Sequence, residues 1–175
     1  MPEHEVTAHR LSGILFNALY KKRMDAKNIL AGAIAGTAAM TAFSYFLSDR
    51  KSKDFREPAL LAKMISRAFP ETERSFSKTA GWMLHGSMGI LFAYLSKKMI
   101  RKLQSPYDFS NQVFIGAANG VTGVIGWKLA FSLHPNPPKI RFNRFYQHLV
   151  LTHIVFTLTA LAVMERNERE PAANE

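Results

Sequence analysis

Five residues inside otherwise apolar stretches are of types that do chemistry: His85, Asn119, Lys128, His148 and His153. Imidazoles move protons and ligate metals or haem, and an amide or ammonium in an apolar setting fixes a polar ligand or a neighbouring helix. Spacing narrows these options. His148 and His153 are five residues apart, about 140° around a helix, whereas two ligands on one helix face need a spacing of three or four. A haem or metal ion would therefore need His85 and His148, which stand about one turn inside two different stretches, on the same side of an up-and-down bundle. Asn119 and His153 fall at similar depth on consecutive stretches, as candidates for a polar contact within a binding cavity or for helix-to-helix glue. Lys128 closes its stretch and is expected to snorkel towards headgroups. A lone helix histidine most often bonds a carbonyl or hydroxyl. The expectation is thus no resident cofactor, with haem or a metal on His85 and His148 as the alternative.

Other chemistry is excluded more firmly. The chain has no cysteine, which removes disulfides, thiolate metal sites and cysteine nucleophiles. HExxH, the histidine boxes of membrane hydroxylases and a GxGxxG loop do not occur. No carboxylate lies inside the charge-free stretches, which argues against a carboxylate-based proton relay at mid-depth. No catalytic residue is assigned, and the expectation leans away from an enzyme.

The elements that carry these residues are legible from charge alone. Asn28–Ser48, Thr79–Ser96, Phe109–Trp127 and Phe145–Met164 contain no Asp, Glu, Lys or Arg and are 21, 18, 19 and 20 residues long. Crossing a bilayer core about 30 Å thick takes about 20 apolar residues in a helix. The expected fold is all-α: an integral membrane four-helix up-and-down bundle with spans near 28–48, 79–97, 109–133 and 145–165. Short amphipathic interfacial helices are expected over 11–20 and 58–69, the second starting at Pro58 and closed by Pro70. Residues 1–27 read as a polar leader with no cleaved signal peptide, 28–166 as the membrane domain and 167–175 as a flexible tail.

The third stretch raises a further question, because "GAANGVTGVIGWK" holds Gly116, Gly120, Gly123 and Gly126 in one helix length. In water each would cost about 1 kcal/mol relative to alanine. Between helices in lipid, small residues instead permit close backbone approach. With Asn119 the four glycines fall within one stripe, and Gly32 and Gly36 form another with Ala35 and Ala39. "GAIAG" and "GAANG" echo each other, as do His85 and His148, which fits a duplicated helix pair and equally a coincidence in spans rich in Gly and Ala. These stripes are read as packing seams, against a sister helix or a second subunit.

The formal charge is +10. Basic residues cluster beside the apolar stretches, at Lys21, Lys22, Arg23 and Lys27 and at Lys97, Lys98, Arg101 and Lys102. That placement suits anionic lipid headgroups, and nucleic acid is not expected as a partner. Lys and Arg number eleven on each side of a four-span topology, so only the density of those clusters favours cytoplasmic termini, in a bacterial inner membrane. The function expected is a non-enzymatic accessory or binding module packing through its Gly/Ala seams, within a homo-oligomer or larger membrane complex. The alternative is a redox protein using intramembrane histidines, or a carrier of small solutes or lipids.

Overall fold

The computed structural model describes residues 25–48, 56–103 and 107–169. Among them every regular element is an α-helix: α1 (Asp25–Ser48), α2 (Glu57–Ala68), α3 (Arg74–Ile100), α4 (Phe109–Leu133) and α5 (Phe142–Arg169). Three of these, α1, α4 and α5, are long and apolar enough to cross a membrane. α3 has 27 residues and a charge-free centre, but glycine, serine, threonine and histidine dilute its apolar content and it is not among the three. The expected helix over 11–20 lies outside the described residues. α5 runs to Arg169, so Asn167 and Glu168 belong to a helix and not to a tail.

Local sequence explains the breaks. Pro58 falls in the first turn of α2, with Glu57 at its start and Arg67 in its last turn, all of which suit the helix dipole. α4 stops at His134, where a proline-rich segment removes the donors a helix needs. His134 Nδ1 accepts from the Asn136 amide at 3.0 Å, which makes Nε2 the protonated nitrogen, and Nε2 donates to the Met64 carbonyl at 2.8 Å. Arg67 donates to the Pro137 carbonyl at 3.1 Å. α2 is thereby tied to the α4–α5 connection. It also packs along α3, where Pro58 and Ala62 close on Gly81. The start of α2 is buried against the rest of the chain, at Glu57, Pro58 and Leu60.

The distribution of polarity differs from that of a water-soluble domain, with large apolar side chains exposed and many polar ones buried beside the apolar core. Ile34, Met83, Phe114, Val121, Ile125, Leu129 and Leu151 are exposed, whereas Ser44, Glu57, Ser96, Lys97, Asn119, Thr152 and Thr157 are almost fully buried. An apolar exterior, with the buried polar groups hydrogen-bonded inside, is the arrangement a bilayer requires.

α5 is the hub of the interior. A Cβ on Gly116 would stand 2.7 Å from Ile154 Cα, and one on Gly120 would stand 2.7 Å from Val150 Cα. Gly32 and Gly36 meet the same helix, at Met164 and the Ala160 carbonyl and at Phe156 respectively. The two echoing motifs thus do one job, bringing α1 and α4 against α5 at backbone distance. Both seams are filled from within the chain.

The start of α1 and the ends of α3 and α5 meet in an ionic clamp. Lys97 Nζ lies 3.1 Å from both Asp25 Oδ1 and Glu168 Oε1, and its side chain is 2 % exposed. Arg101 pairs with Asp25 at 2.9 Å. The Tyr107 hydroxyl, on a residue held at φ 68°, donates to Glu168 at 2.6 Å. Asn28 adds a bond to the Met164 carbonyl at 3.0 Å. This corrects the reading of the basic cluster after α3, because Lys97 and Arg101 answer carboxylates of the chain, while Lys98 and Lys102 remain exposed. Lys97→Met should lower stability by about 1–2 kcal/mol: loss of a buried cation costs more, but both carboxylates are about one-third exposed and Arg101 stays. Thermal melting in detergent measures it. An unchanged midpoint in Lys97→Met would show that the clamp contributes nothing.

Candidate functional site

All five helices contribute to the lining of a cavity of about 320 Å³. Met40 of α1, Phe92 and Leu95 of α3, Trp127 and Ala130 of α4 and Phe156 of α5 supply its apolar wall, and Glu57, His85, His153 and Thr37 supply its polar groups. α3 meets α4 far less extensively than α5 does. Along that seam Met88 and Leu91 of α3 and Thr122 and Gly126 of α4 line the cavity and are exposed. The cavity therefore opens sideways, between α3 and α4.

The glycine stripe of α4 splits between two tasks. At about 100° per residue, Gly116 and Gly120 occupy one edge of the stripe, Asn119 and Gly126 the other, with Gly123 between them. The first edge meets α5. A Cβ on Gly123 would lie 3.0 Å from the Cε1 and Nε2 atoms of His153, and one on Gly126 would have no neighbour within 4 Å. Gly126 is thus a place where the missing side chain leaves room in the cavity.

Asn119 and His153 are both buried but are held by different partners. Asn119 Nδ2 donates to Ser96 Oγ at 2.8 Å and Thr157 Oγ1 at 3.1 Å, joining α4 to α3 and α5. His153 Nδ1 donates to the Leu149 carbonyl at 2.8 Å, and its ring stands edge-on to Phe92 with centroids 4.8 Å apart. Asn119 is helix glue, and His153 belongs to the cavity.

His85 and His148 also diverge. His85 Nε2 lies 3.1 Å from Thr41 Oγ1, and His148 Nε2 lies 3.0 Å from Ser44 Oγ. Each imidazole is spent on a hydroxyl of α1, one turn apart, so the sequence echo between them is again an echo of role. Among the described residues no group of three or more His, Asp or Glu is placed to hold a metal ion. Lys128 lies outside the cavity, exposed, with Nζ 5.5 Å from the Tyr146 ring centroid.

The residue that sequence reasoning missed is Glu57. No helix spanning the bundle carries a carboxylate at this depth, but α2 delivers one from outside, and the side chain is 2 % exposed. Ser44 Oγ stands 2.9 and 3.1 Å from its two oxygens, Thr152 Oγ1 is 3.5 Å away, and His148 Nε2 is 3.9 Å from Oε1. A hydroxyl has one proton. If Ser44 donates to Glu57, His148 Nε2–H donates to Ser44, giving a continuous line from imidazole through hydroxyl to carboxyl. Burial pushes the Glu57 carboxyl up to about 7, against smaller opposing effects from its own backbone amide, Ser44 and Thr152. The line is not a serine-hydrolase triad, because the carboxyl and the hydroxyl both lie on the Nε2 side of the ring.

Among the described residues the chain is all-helical, exposes large apolar side chains, buries hydrogen-bonded polar ones and has three helices long and apolar enough to cross a membrane, which fits a helical membrane protein. Beyond that class, no family model, no curated protein and no solved structure matches the chain.

Proposed function

We propose that this chain is a non-enzymatic membrane binding module in which α1, α3, α4 and α5 all cross the bilayer and enclose a site for a small apolar molecule with a polar head. The single observation that carries the reading is the cavity: an apolar chamber with a few convergent polar groups, open sideways between α3 and α4. The lower hydropathy of α3 fits this role, since its glycines and His85 face α1, α2 and the cavity, while Trp82, Leu84, Ile90 and Tyr94 point outward. Exposed Lys98 and Lys102 meet anionic headgroups on the side of the termini, which is cytoplasmic in a bacterial inner membrane. Any larger assembly uses the outward apolar faces, because the glycine seams are occupied by α5.

Gly126→Leu tests this reading. The new side chain enters open space, so folding persists while the cavity shrinks. In lipid nanodiscs, wild type is expected to bind a fluorescent medium-chain alkyl probe saturably, and Gly126→Leu at least tenfold more weakly with unchanged helicity and melting. Equal binding by the two, or no saturable binding by either, overturns the proposal.

A further inference from the structure

We propose that the head group received by this cavity is a neutral hydroxyl, as in a long-chain or isoprenoid alcohol or a phenol, and that His153 Nε2 is the atom that accepts its proton in a hydrogen bond. The inference rests on the cavity being a binding site and adds the chemistry of its occupant.

His153 supplies the acceptor by elimination. The Leu149 carbonyl can only accept, so the nitrogen 2.8 Å from it, Nδ1, must carry a hydrogen. A second proton would place a buried cation among apolar side chains, with no acceptor for it among the described residues. The ring is therefore neutral and Nε2 presents a lone pair. His153 is 5 % exposed, and that small exposure is to the cavity it lines. Gly123 makes this possible, because a side chain there would lie against the Cε1–Nε2 edge. A buried acceptor turned to a cavity calls for a donor.

The rest of the lining selects which donor. Among the described residues the cavity wall contains no Lys or Arg, so a carboxylate, sulfate or phosphate head would enter without a counter-charge and beside Glu57. An ether or ester head brings only acceptors and leaves His153 Nε2 unsatisfied. A hydroxyl donates to His153 and can accept in turn, either from Thr37 or from the Glu57 carboxyl in its protonated form. A hydrogen-bonding site discriminates against an analogue lacking the donor more sharply than an apolar wall discriminates by size. The long apolar remainder of the molecule then runs along Leu91, Leu95 and Trp127 towards the lateral opening.

The test uses four chain-matched probes in nanodiscs: a dodecyl alcohol, its methyl ether, the carboxylate and the primary ammonium, each competed against the fluorescent alkyl probe. The alcohol is expected to bind about tenfold more tightly than the ether, and the carboxylate and ammonium more weakly still. His153→Phe, which keeps the ring volume and removes the acceptor, should bring alcohol and ether to equal affinity. Gly123→Ala, which crowds the Nε2 edge, should do the same if His153→Phe fails to fold. Equal binding of all four probes to wild type overturns the hydroxyl assignment and leaves the cavity standing. Preference for the carboxylate or the ammonium also overturns it. Failure of every probe, the alkyl reporter included, instead overturns the binding-module reading beneath it.

Discussion

Replacing Gly120 with alanine should destabilise the protein by about 2 kcal/mol, while the same change at Gly126, six residues along the same helix, should be neutral or slightly stabilising. At Gly120 the added methyl would sit 2.7 Å from Val150 Cα and 3.2 Å from both Val150 Cβ and the Val150 carbonyl oxygen. Two of those three atoms are backbone, which cannot rotate away, so α4 and α5 must separate. Separation loosens the extensive packing of α4 on α5 and strains the Asn119 bond to Thr157. Overpacking of this kind costs about 1–3 kcal/mol. At Gly126 the methyl meets nothing within 4 Å, and alanine is the better helix former by about 0.5–1 kcal/mol. Thermal melting of the two variants in one detergent decides the matter. Similar losses at both positions would mean that general intolerance of α4 to substitution, and not contact with α5, explains the glycines. Gly116→Ala, which meets Ile154 Cα at 2.7 Å, should behave like Gly120→Ala.

That contrast also shows where sequence reasoning stops. The helices were legible because a charge-free run of a given length is a local property, and α1, α4 and α5 coincide with three of the four expected spans. The glycine stripe was legible as a stripe, but its division between α5 and the cavity depends on which neighbours α4 has on each side. Asn119 reads from the sequence as a partner of His153, at similar depth on the next helix, but it bonds elsewhere. Its partners, Ser96 and Thr157, lie 23 and 38 residues away and are ordinary in type, so nothing local marks them. Lys97 and Lys98 are indistinguishable as letters. A rotation of about 100° puts one into a buried ion pair and the other at the surface. Glu57 was the hardest case. It sits between an arginine and a proline in a charged segment, where solvation is the natural reading, and only the docking of α2 on Gly81 carries it inside. The one available signal was its place at the first turn of an amphipathic helix that Pro58 begins.

Glu57 should make the protein lose stability as pH rises from about 4.5 to about 7, by about 3 kcal/mol in all, and Glu57→Gln should abolish that loss. The sign follows from proton counting. In the unfolded chain the carboxyl ionises at its ordinary value near 4.5, and in the folded protein burial holds the proton until about 7. Between those values the folded state binds more protons than the unfolded one, so raising the pH favours unfolding. Below about 4.5 both states are protonated and above about 7 both are ionised, so the contribution of Glu57 is constant in each region. The groups facing the carboxyl are Ser44 from α1 and His148 and Thr152 from α5, with His85 and His153 on the wall of the same cavity. His148 is the other titratable group in direct reach, and His148→Gln separates its part from that of Glu57: the glutamine cannot take up a proton, but it can donate to Ser44. If the slope belongs to Glu57, it persists in His148→Gln and vanishes in Glu57→Gln, and the Glu57→Gln variant is more stable than wild type at about pH 8. Melting midpoints collected from about pH 4 to about pH 9 for the three proteins read this directly. A slope that survives in Glu57→Gln but disappears in His148→Gln would assign the titration to His148. It would reduce Glu57 to a hydrogen-bond acceptor that anchors the start of α2, with no part in holding a proton inside the bundle.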